Sequence, residues 1–360
     1  MKAAVLHEAK TPLVIEEVGI GAPGPREVLV RTKAVGVCRS DLHFIDGVYP
    51  HPLPVIPGHE AAGVVEAVGS DVARLKVGDH VITCLSAFCG TCEHCVTGQL
   101  SLCQDQSVKR REGDAPKLTL NGQVLPQFLN LSAYAEQMLI HENACVAVRP
   151  DMPLDRAAVI GCAVTTGAGA IFNQSRIEPG QSVAVIGCGG IGLAAINAAK
   201  IAGAGRIVAI DPQPSKRALA LKLGATEALA PEGDKPHQAI VEMTGGGVDF
   251  AIEAVGRTAT VEMAWNILKR GGTATVLGMV PPGEHVQIHG PTFLQAKRIQ
   301  GSMMGMNRFP VDIPRLVDFY MSGALDLDSI IARRIPLAEI NTAVDDLRSG
   351  DTARTVIVFD

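Results

Sequence analysis

The sequence predicts an α/β protein in two parts: a doubly wound parallel sheet, and a mostly β, barrel-like domain. Three observations carry this. At 360 residues the chain exceeds what one simple core organises, so two domains are expected. The texture changes near residue 150. Before it, short Val-rich segments lie between joints such as Gly21-Ala22-Pro23-Gly24-Pro25 and Pro50-His51-Pro52-Leu53-Pro54, as in compact folds of many short strands. After it, strand-like and helix-like segments alternate, which implies a parallel sheet. The third observation is an apolar strand, residues 182–186, that runs directly into Gly187-Cys188-Gly189-Gly190-Ile191-Gly192.

Composition narrows the function classes. Hydrophobic residues reach 47% and charged residues 19%, enough apolar material for large cores. Net charge is −5 and the densest basic run is Lys109-Arg110-Arg111, which argues against nucleic acid as a partner. The N-terminus turns polar too soon for a signal peptide. The uncharged stretch 179–199 is broken by Gly187, Gly189, Gly190 and Gly192, so it reads as strand, turn and helix rather than a membrane span. Nine cysteines without a secretion signal indicate a reducing cytoplasm, with thiols as metal ligands or buried side chains.

In chain order, strands are expected at Ala3–Leu6, Leu13–Glu17, Glu27–Val35, Ala62–Val68 and Asp79–Thr83. Gly58-His59-Glu60 stands at the mouth of the fourth. A His-Glu pair there is by itself more often structural. Cys38 upstream and Cys162 downstream change the weighing: two thiols and an imidazole are a set that zinc accepts, with a fourth position open. Cys89, Cys92, Cys95 and Cys103 follow in C-x2-C-x2-C-x7-C spacing. Four thiolates so spaced can wrap one tetrahedral metal as a closed structural zinc site, with an iron–sulfur cluster as the alternative. Residues 104–130 read as a polar, irregular surface excursion that includes Lys109-Arg110-Arg111-Glu112-Gly113-Asp114. Strands Ala133–Ile140 and Cys145–Val148 return to the first domain. Cys84 and Cys145 read as inert buried thiols.

Leu154–Ile171 is a helical, Ala/Gly-rich segment that carries Cys162. The glycine run then follows a strand, opens a helix and precedes a strand, Arg206–Ile210, that ends in Asp211. In that context G-x-G-x-x-G is a dinucleotide-binding fingerprint. Gly187, Gly189, Gly190, Ile191 and Gly192 bring backbone to a pyrophosphate at a helix N-terminus. Asp211 can accept hydrogen bonds from ribose hydroxyls. Further strands are expected at Val248–Ala254, Thr273–Leu277 and Lys297–Ser302, with a helix at Thr260–Leu268. From about Met304 helices Ile313–Ser322 and Glu339–Arg348 and a last strand, Thr355–Phe359, are expected to rejoin the first domain. The expected domains are 1–163 with 304–360, including a lobe at 89–103, and 164–303.

Taken together, Gly-His-Glu-x2-Gly-x5-Gly at 58–69, the four-cysteine lobe and the glycine run with Asp211 resemble the zinc-dependent, medium-chain alcohol dehydrogenase family along nearly the whole chain. The resemblance implies a GroES-like catalytic domain and a Rossmann-type nucleotide domain. It implies two zinc ions per chain, one catalytic at Cys38, His59 and Cys162 and one structural at the lobe, with NAD as cofactor. Glu60 would lie behind the catalytic zinc as a supporting or alternate ligand, and Asp41 would orient His59. Ser40 and His43 match a proton relay. Arg39 and Arg354 match pyrophosphate-binding positions, Thr166 one that packs on the nicotinamide, and Lys216 one that reaches the adenosine ribose. The long 104–130 segment matches dimeric members, so a homodimer is expected, with a tetramer as the alternative.

The implied activity is reversible oxidation of primary alcohols, aliphatic or aromatic, to aldehydes, with apolar pocket walls that include Leu85 and Val280. Two enzyme alternatives stand beside it: a glutathione-linked formaldehyde dehydrogenase, whose basic anchor aligns with Ser107 here, and an NADP-linked aldehyde reductase, which Asp211 opposes. A non-catalytic nucleotide-binding protein would be marked by loss of Cys38, His59, Cys162 or Ser40, and all four are present.

Overall fold

The computed structural model describes residues 1–111, 113–232, 236–350 and 353–360. Two compact units emerge. One contains Met1–Ala163, Arg308–Ser322 and Ile331–Asp360, the other Val164–Asn307 and Gly323–Ile330. The segment 304–360, expected to rejoin the first unit whole, is therefore divided. Gly323–Ile330 stays with the second unit because Asn197 holds it. Its Oδ1 accepts Asp326 N–H at 2.8 Å and its amide donates to Ala324 O at 3.4 Å. Leu325 and Leu327 are buried beside that contact.

The first unit is built on one long strand, Glu27–Val37. It pairs antiparallel with Ala61–Val68, Gln137–His141 and Thr355–Val358. The sheet extends through His80–Thr83 to Cys145–Val148 on one side and to Arg333–Ile335 on the other, seven strands among the described residues. Its β-branched residues suit a pleated surface, and Val28, Val30, Val35, Val65 and Ile357 fill the core. Register shifts at Leu29/Val30 and Thr32/Ala34 mark bulges that bend the long strand.

The 104–130 stretch is more ordered than the expected excursion. Leu118–Leu120 and Gln123–Val124 form a hairpin about Asn121 (φ 50) and Gly122 (φ 80). Both turn residues need positive φ, the reason Asn-Gly favours this turn. Arg110 and Lys117 are not free cations either: both pair with Glu27, at 2.5 and 3.1 Å. Glu112 of the basic run lies outside the described residues.

The second unit holds six parallel strands among the described residues. Their order is Glu227–Leu229, Arg206–Ile210, Ser182–Ile186, Val248–Glu253, Leu268–Val276 and Arg298–Gly301. Chain order thus runs outward one way from Ser182–Ile186, then crosses and runs the other way. That reversal is the switch point at which Rossmann-type sheets bind dinucleotides. The helix expected after Asp211 to carry Lys216 and Arg217 runs from Pro214 to Leu223, with proline in its first turn. The helical run 154–175 is interrupted by wide π turns at Ile160–Val164 and Ala170–Ser175, and Cys162 lies in the first.

His141 closes the Gln137–His141 strand at 6% exposure, and its Nδ1 accepts Asn143 N–H at 3.0 Å. That bond needs an unprotonated Nδ1. Burial, with Arg26 adding, pushes its pKa down to about 4. Below about pH 6.5 the unfolded chain protonates this histidine while the folded chain does not. Stability is therefore lost as pH falls from about 6.5 to about 4, and this contribution levels off below that. Exchange of His141→Asn keeps an acceptor and removes the titration. Urea unfolding at pH 7 and 4.5 should show the wild type losing about 1–2 kcal/mol more than the variant, allowing for solvent screening.

Candidate active site

Cys38 ends the Glu27–Val37 strand and caps the helix Arg39–Ile45. Asp41, third residue of that helix, reaches back to the Cys38 N–H at 3.3 Å. An acidic side chain at this position commonly satisfies a free N–H of the first turn. Asp41 Oδ1 also accepts His59 Nδ1–H at 2.7 Å and Gly58 N–H at 3.2 Å, and Oδ2 accepts the Tyr134 hydroxyl at 2.8 Å. With Nδ1 held by Asp41, it is Nε2 of His59 that faces Cys162 Sγ, 3.2 Å away. Cys38 Sγ, His59 Nε2 and Cys162 Sγ all lie within 4.8 Å of one another. Tetrahedral zinc with ordinary bond lengths would set sulfur and nitrogen about 3.6 Å apart, so the donor set fits such an ion.

The two thiols are shifted in opposite directions. A hydrogen bond from Cys162, stronger here than the opposing burial, holds Cys38 well below the usual thiol range. The same bond and burial hold Cys162 well above it. Thiols must give up their protons to bind a metal, so binding at this pair would release protons. Burial opposes charge on His59, yet Asp41 and Cys38 outweigh it and raise its pKa.

Glu60 stands behind this cluster. It is fully buried, its Oε1 accepts Ala163 N–H at 3.1 Å, and its Oε2 faces Arg354 Nη1 at 3.1 Å. Burial pushes its carboxyl up to about 8 against the pull of Arg354. Arg354, 3% exposed, also donates to Val37 O at 3.0 Å. Arg39 is exposed and donates to Leu347 O. Ser40 and His43 lie one helical turn apart on Arg39–Ile45, and the His43 ring meets Tyr49 edge-on. Burial and Arg39 lower the His43 pKa.

Cys89, Cys92, Cys95 and Cys103 converge as a second cluster. Sulfur separations are 3.5 Å for Cys92–Cys95 and 3.8 Å for both Cys89–Cys95 and Cys92–Cys103. Four thiolates 2.3 Å from a tetrahedral zinc would be about 3.8 Å apart. All nine cysteines are free, so these are not disulfides. The N–H groups of Thr91 and Cys92 point at Cys89 Sγ, which favours its thiolate.

In the second unit Gly187 has φ +91, and a Cβ on Gly192 would overlap the Gly187 carbonyl. The turn therefore closes only with glycine at 192. Asp211, 5% exposed, accepts Cys188 N–H at 2.8 Å and Gln213 N–H at 2.9 Å, so it is fixed beside the glycine turn. Arg217 donates to the Asp211 and Pro212 carbonyls, both at 2.8 Å. Lys216 is half-buried on the same helix. Thr166 is 4% exposed and its hydroxyl contacts Met304 Sδ at 3.5 Å. Leu85 packs half-buried on the core of the first unit, and Val280 is half-buried in the second.

Two features lack a local signal in the sequence: the Glu60–Arg354 pair and the Tyr134 hydroxyl on Asp41. Each joins residues far apart in the chain.

Comparison with known proteins agrees with this architecture. Residues 24–150 match the family model for the alcohol dehydrogenase GroES-like domain, and residues 190–321 match that for zinc-binding dehydrogenases. An alcohol dehydrogenase class-3 of Myxine glutinosa is 36% identical, across 99% of this chain and 97% of its own. Among solved structures, an alcohol dehydrogenase zinc-binding domain protein from Burkholderia ambifaria is 37% identical with TM-score 0.95, over 100% of this chain and 98% of that one. A benzyl alcohol dehydrogenase from Acinetobacter calcoaceticus is 34% identical with TM-score 0.93, over 100% and 99%. On its sequence, its two matched domains and its fold, this chain belongs to the zinc-dependent medium-chain alcohol dehydrogenase family.

Proposed function

We propose that this chain reversibly oxidises primary alcohols, aliphatic or aromatic, to aldehydes with NAD as hydride acceptor. The observation that carries the reading is the buried convergence of Cys38, His59 and Cys162, a donor set that leaves a fourth position for substrate. The likeness to a benzyl alcohol dehydrogenase supports aromatic alcohols within the range. A zinc ion there, when bound, supplies a Lewis acid that makes the alcohol hydroxyl acidic.

The chain's own residues do the remaining work. Asp41 fixes the tautomer and aim of His59. Ser40 takes the alcohol proton, and His43, one turn further along the helix, passes it to solvent. Its lowered pKa keeps His43 neutral and able to accept. Glu60 serves as an alternate ligand held back by Arg354. The glycine turn and Thr166 seat the cofactor, and Lys216 reaches its ribose. Arg39 and Arg354 are the cations proposed for the pyrophosphate. The cysteine lobe holds a second, closed zinc, and the working form is a cytoplasmic homodimer.

Exchange of Cys162→Ala should leave a folded protein that binds NAD, holds one zinc fewer and turns over at least about 100-fold more slowly. Near wild-type alcohol oxidation by that variant would remove the basis of the assignment.

Exchange of Cys95→Ser should act on stability instead. A closed thiolate site contributes to folding rather than chemistry. Differential scanning calorimetry should show a melting temperature lowered by roughly 5–10 °C, with one of two zinc ions lost per chain by elemental analysis.

Cofactor choice follows from Asp211. In NADP a 2′-phosphate would meet this carboxylate, and like charges at a binding site cost several kcal/mol. The neighbouring Arg217 is occupied by two backbone carbonyls and gives little relief. NAD should be preferred by about 100-fold or more in kcat/KM, and Asp211→Gly should raise NADP activity while weakening NAD. Equal wild-type efficiency with both cofactors would show the carboxylate does not select.

A further inference from the structure

Tyr134 is wholly buried and lies in none of the roles above. Its hydroxyl donates to Asp41 Oδ2 at 2.8 Å. The other donor to that oxygen, Cys38 N–H, is at 3.3 Å. Oδ1 is held by His59 and Gly58. Asp41 is 0% exposed, so its charge must be met by protein donors. The Tyr134 hydroxyl supplies the one short bond on Oδ2.

The surroundings are built to receive this side chain. Gly58, directly before His59, has φ +94, and a Cβ there would lie 2.6 Å from Tyr134 Cδ1. The ring therefore occupies the space that a side chain at 58 would take. Backbone bonds lock the register: Tyr134 N–H to Pro57 O and Ala133 N–H to Gly58 O, both at 3.0 Å, and Ala4 N–H to Tyr134 O at 2.8 Å. Burial, with Asp41 adding, holds the phenol well above its ordinary pKa, so it stays a donor.

We propose that Tyr134 is a positioning residue for the metal centre, clamping Asp41 so that the carboxylate holds His59 with Nε2 aimed at the two thiols. It touches neither substrate nor metal. Its reach runs from Tyr134 Oη through Asp41 to His59 Nδ1. Without the hydroxyl, Asp41 keeps only the long Cys38 N–H bond on Oδ2, so the carboxylate is held less tightly and so is the aim of His59. Partners of metal-bound histidines typically contribute about 10- to 100-fold in metal affinity. A group one bond further out should contribute less, about 3- to 10-fold.

The inference rests on the proposed zinc site at Cys38, His59 and Cys162. The test is chelator-driven zinc release from the full-length protein, followed with a zinc indicator. Wild type should hold two zinc ions, and Cys162→Ser should lack one of them. A wild type with a single zinc, or a Cys162→Ser protein that retains both, overturns the site and this inference together. With the site established, Tyr134→Phe should release the zinc lost in Cys162→Ser about 3- to 10-fold faster. Release from the cysteine lobe, measured in the same sample, should not change. In an Asp41→Asn background the same exchange should add nothing, because the path through Asp41 is already cut. Unchanged release in Tyr134→Phe, equal acceleration at both sites, or a full effect in the Asp41→Asn background each overturns the inference while leaving the zinc site standing.

Discussion

Asp41, His59, Glu60, Cys38, Cys162 and Arg354 are each at most 3% exposed, and this dry concentration of ionisable groups constrains the whole first unit. Isolated, any one of these charges would cost several kcal/mol to bury. The fold answers in two layers. Arg354 is placed against Glu60, and Asp41 collects four donors. The two thiols face each other and the free side of the imidazole, whose Nδ1 is already held by Asp41. Each of the three comes from a different element: a strand end, a loop before the Ala61–Val68 strand, and a π turn. The hydrogen bond between the two sulfurs moves Cys38 downward and Cys162 upward, and this donor set suits a divalent cation.

Legibility in the sequence tracked distance along the chain. The cysteine lobe and the glycine run were readable because their donors and turns lie within a few residues of each other. The Arg206–Ile210 strand matched its expected limits, since an apolar run between a turn and Asp211 has clear ends. The Asn121-Gly122 hairpin is also locally encoded, since Leu118 and Leu120 on one side and Val124 and Leu125 on the other flank the turn pair. The helix after Asp211 that carries Lys216 and Arg217 is legible in the same way, with Pro214 and Gly224 marking its two ends. The Tyr134–Asp41 and Glu60–Arg354 contacts could not be read in this way. Nothing near Tyr134 distinguishes a core tyrosine from one that closes a hydrogen-bond network, because the partner is set by pairing between distant segments.

The nucleotide-binding unit solves a simpler problem with less charge. Its turn depends on absent side chains at Gly187 and Gly192. Its one buried carboxylate at the turn, Asp211, is tied to main-chain N–H groups on both oxygens. Glu253, at the end of the neighbouring strand, accepts Val255 and Gly256 N–H at 2.9 and 2.8 Å on a single oxygen, Oε1. Backbone donors cannot swing away as side chains can. The crevice at the switch point therefore has its walls set by carboxylates that anchor loops, so a cofactor would meet a largely preformed surface.

The two proposed metal centres differ in how much of the fold each requires. The lobe draws its four sulfurs from residues 89–103, so closing that loop in an unfolded chain costs little entropy. Cys38, His59 and Cys162 span more than a hundred residues, and His59 Nε2 is aimed only while Asp41, Gly58 and Tyr134 hold it. A short peptide could assemble most of the first site and almost none of the second. Affinity at the lobe should therefore report local chain chemistry, whereas affinity at the open centre should report the packing of the entire first unit. On that argument, a core substitution far from either cluster weakens the open centre first, because its geometry is an outcome of tertiary structure and not of spacing.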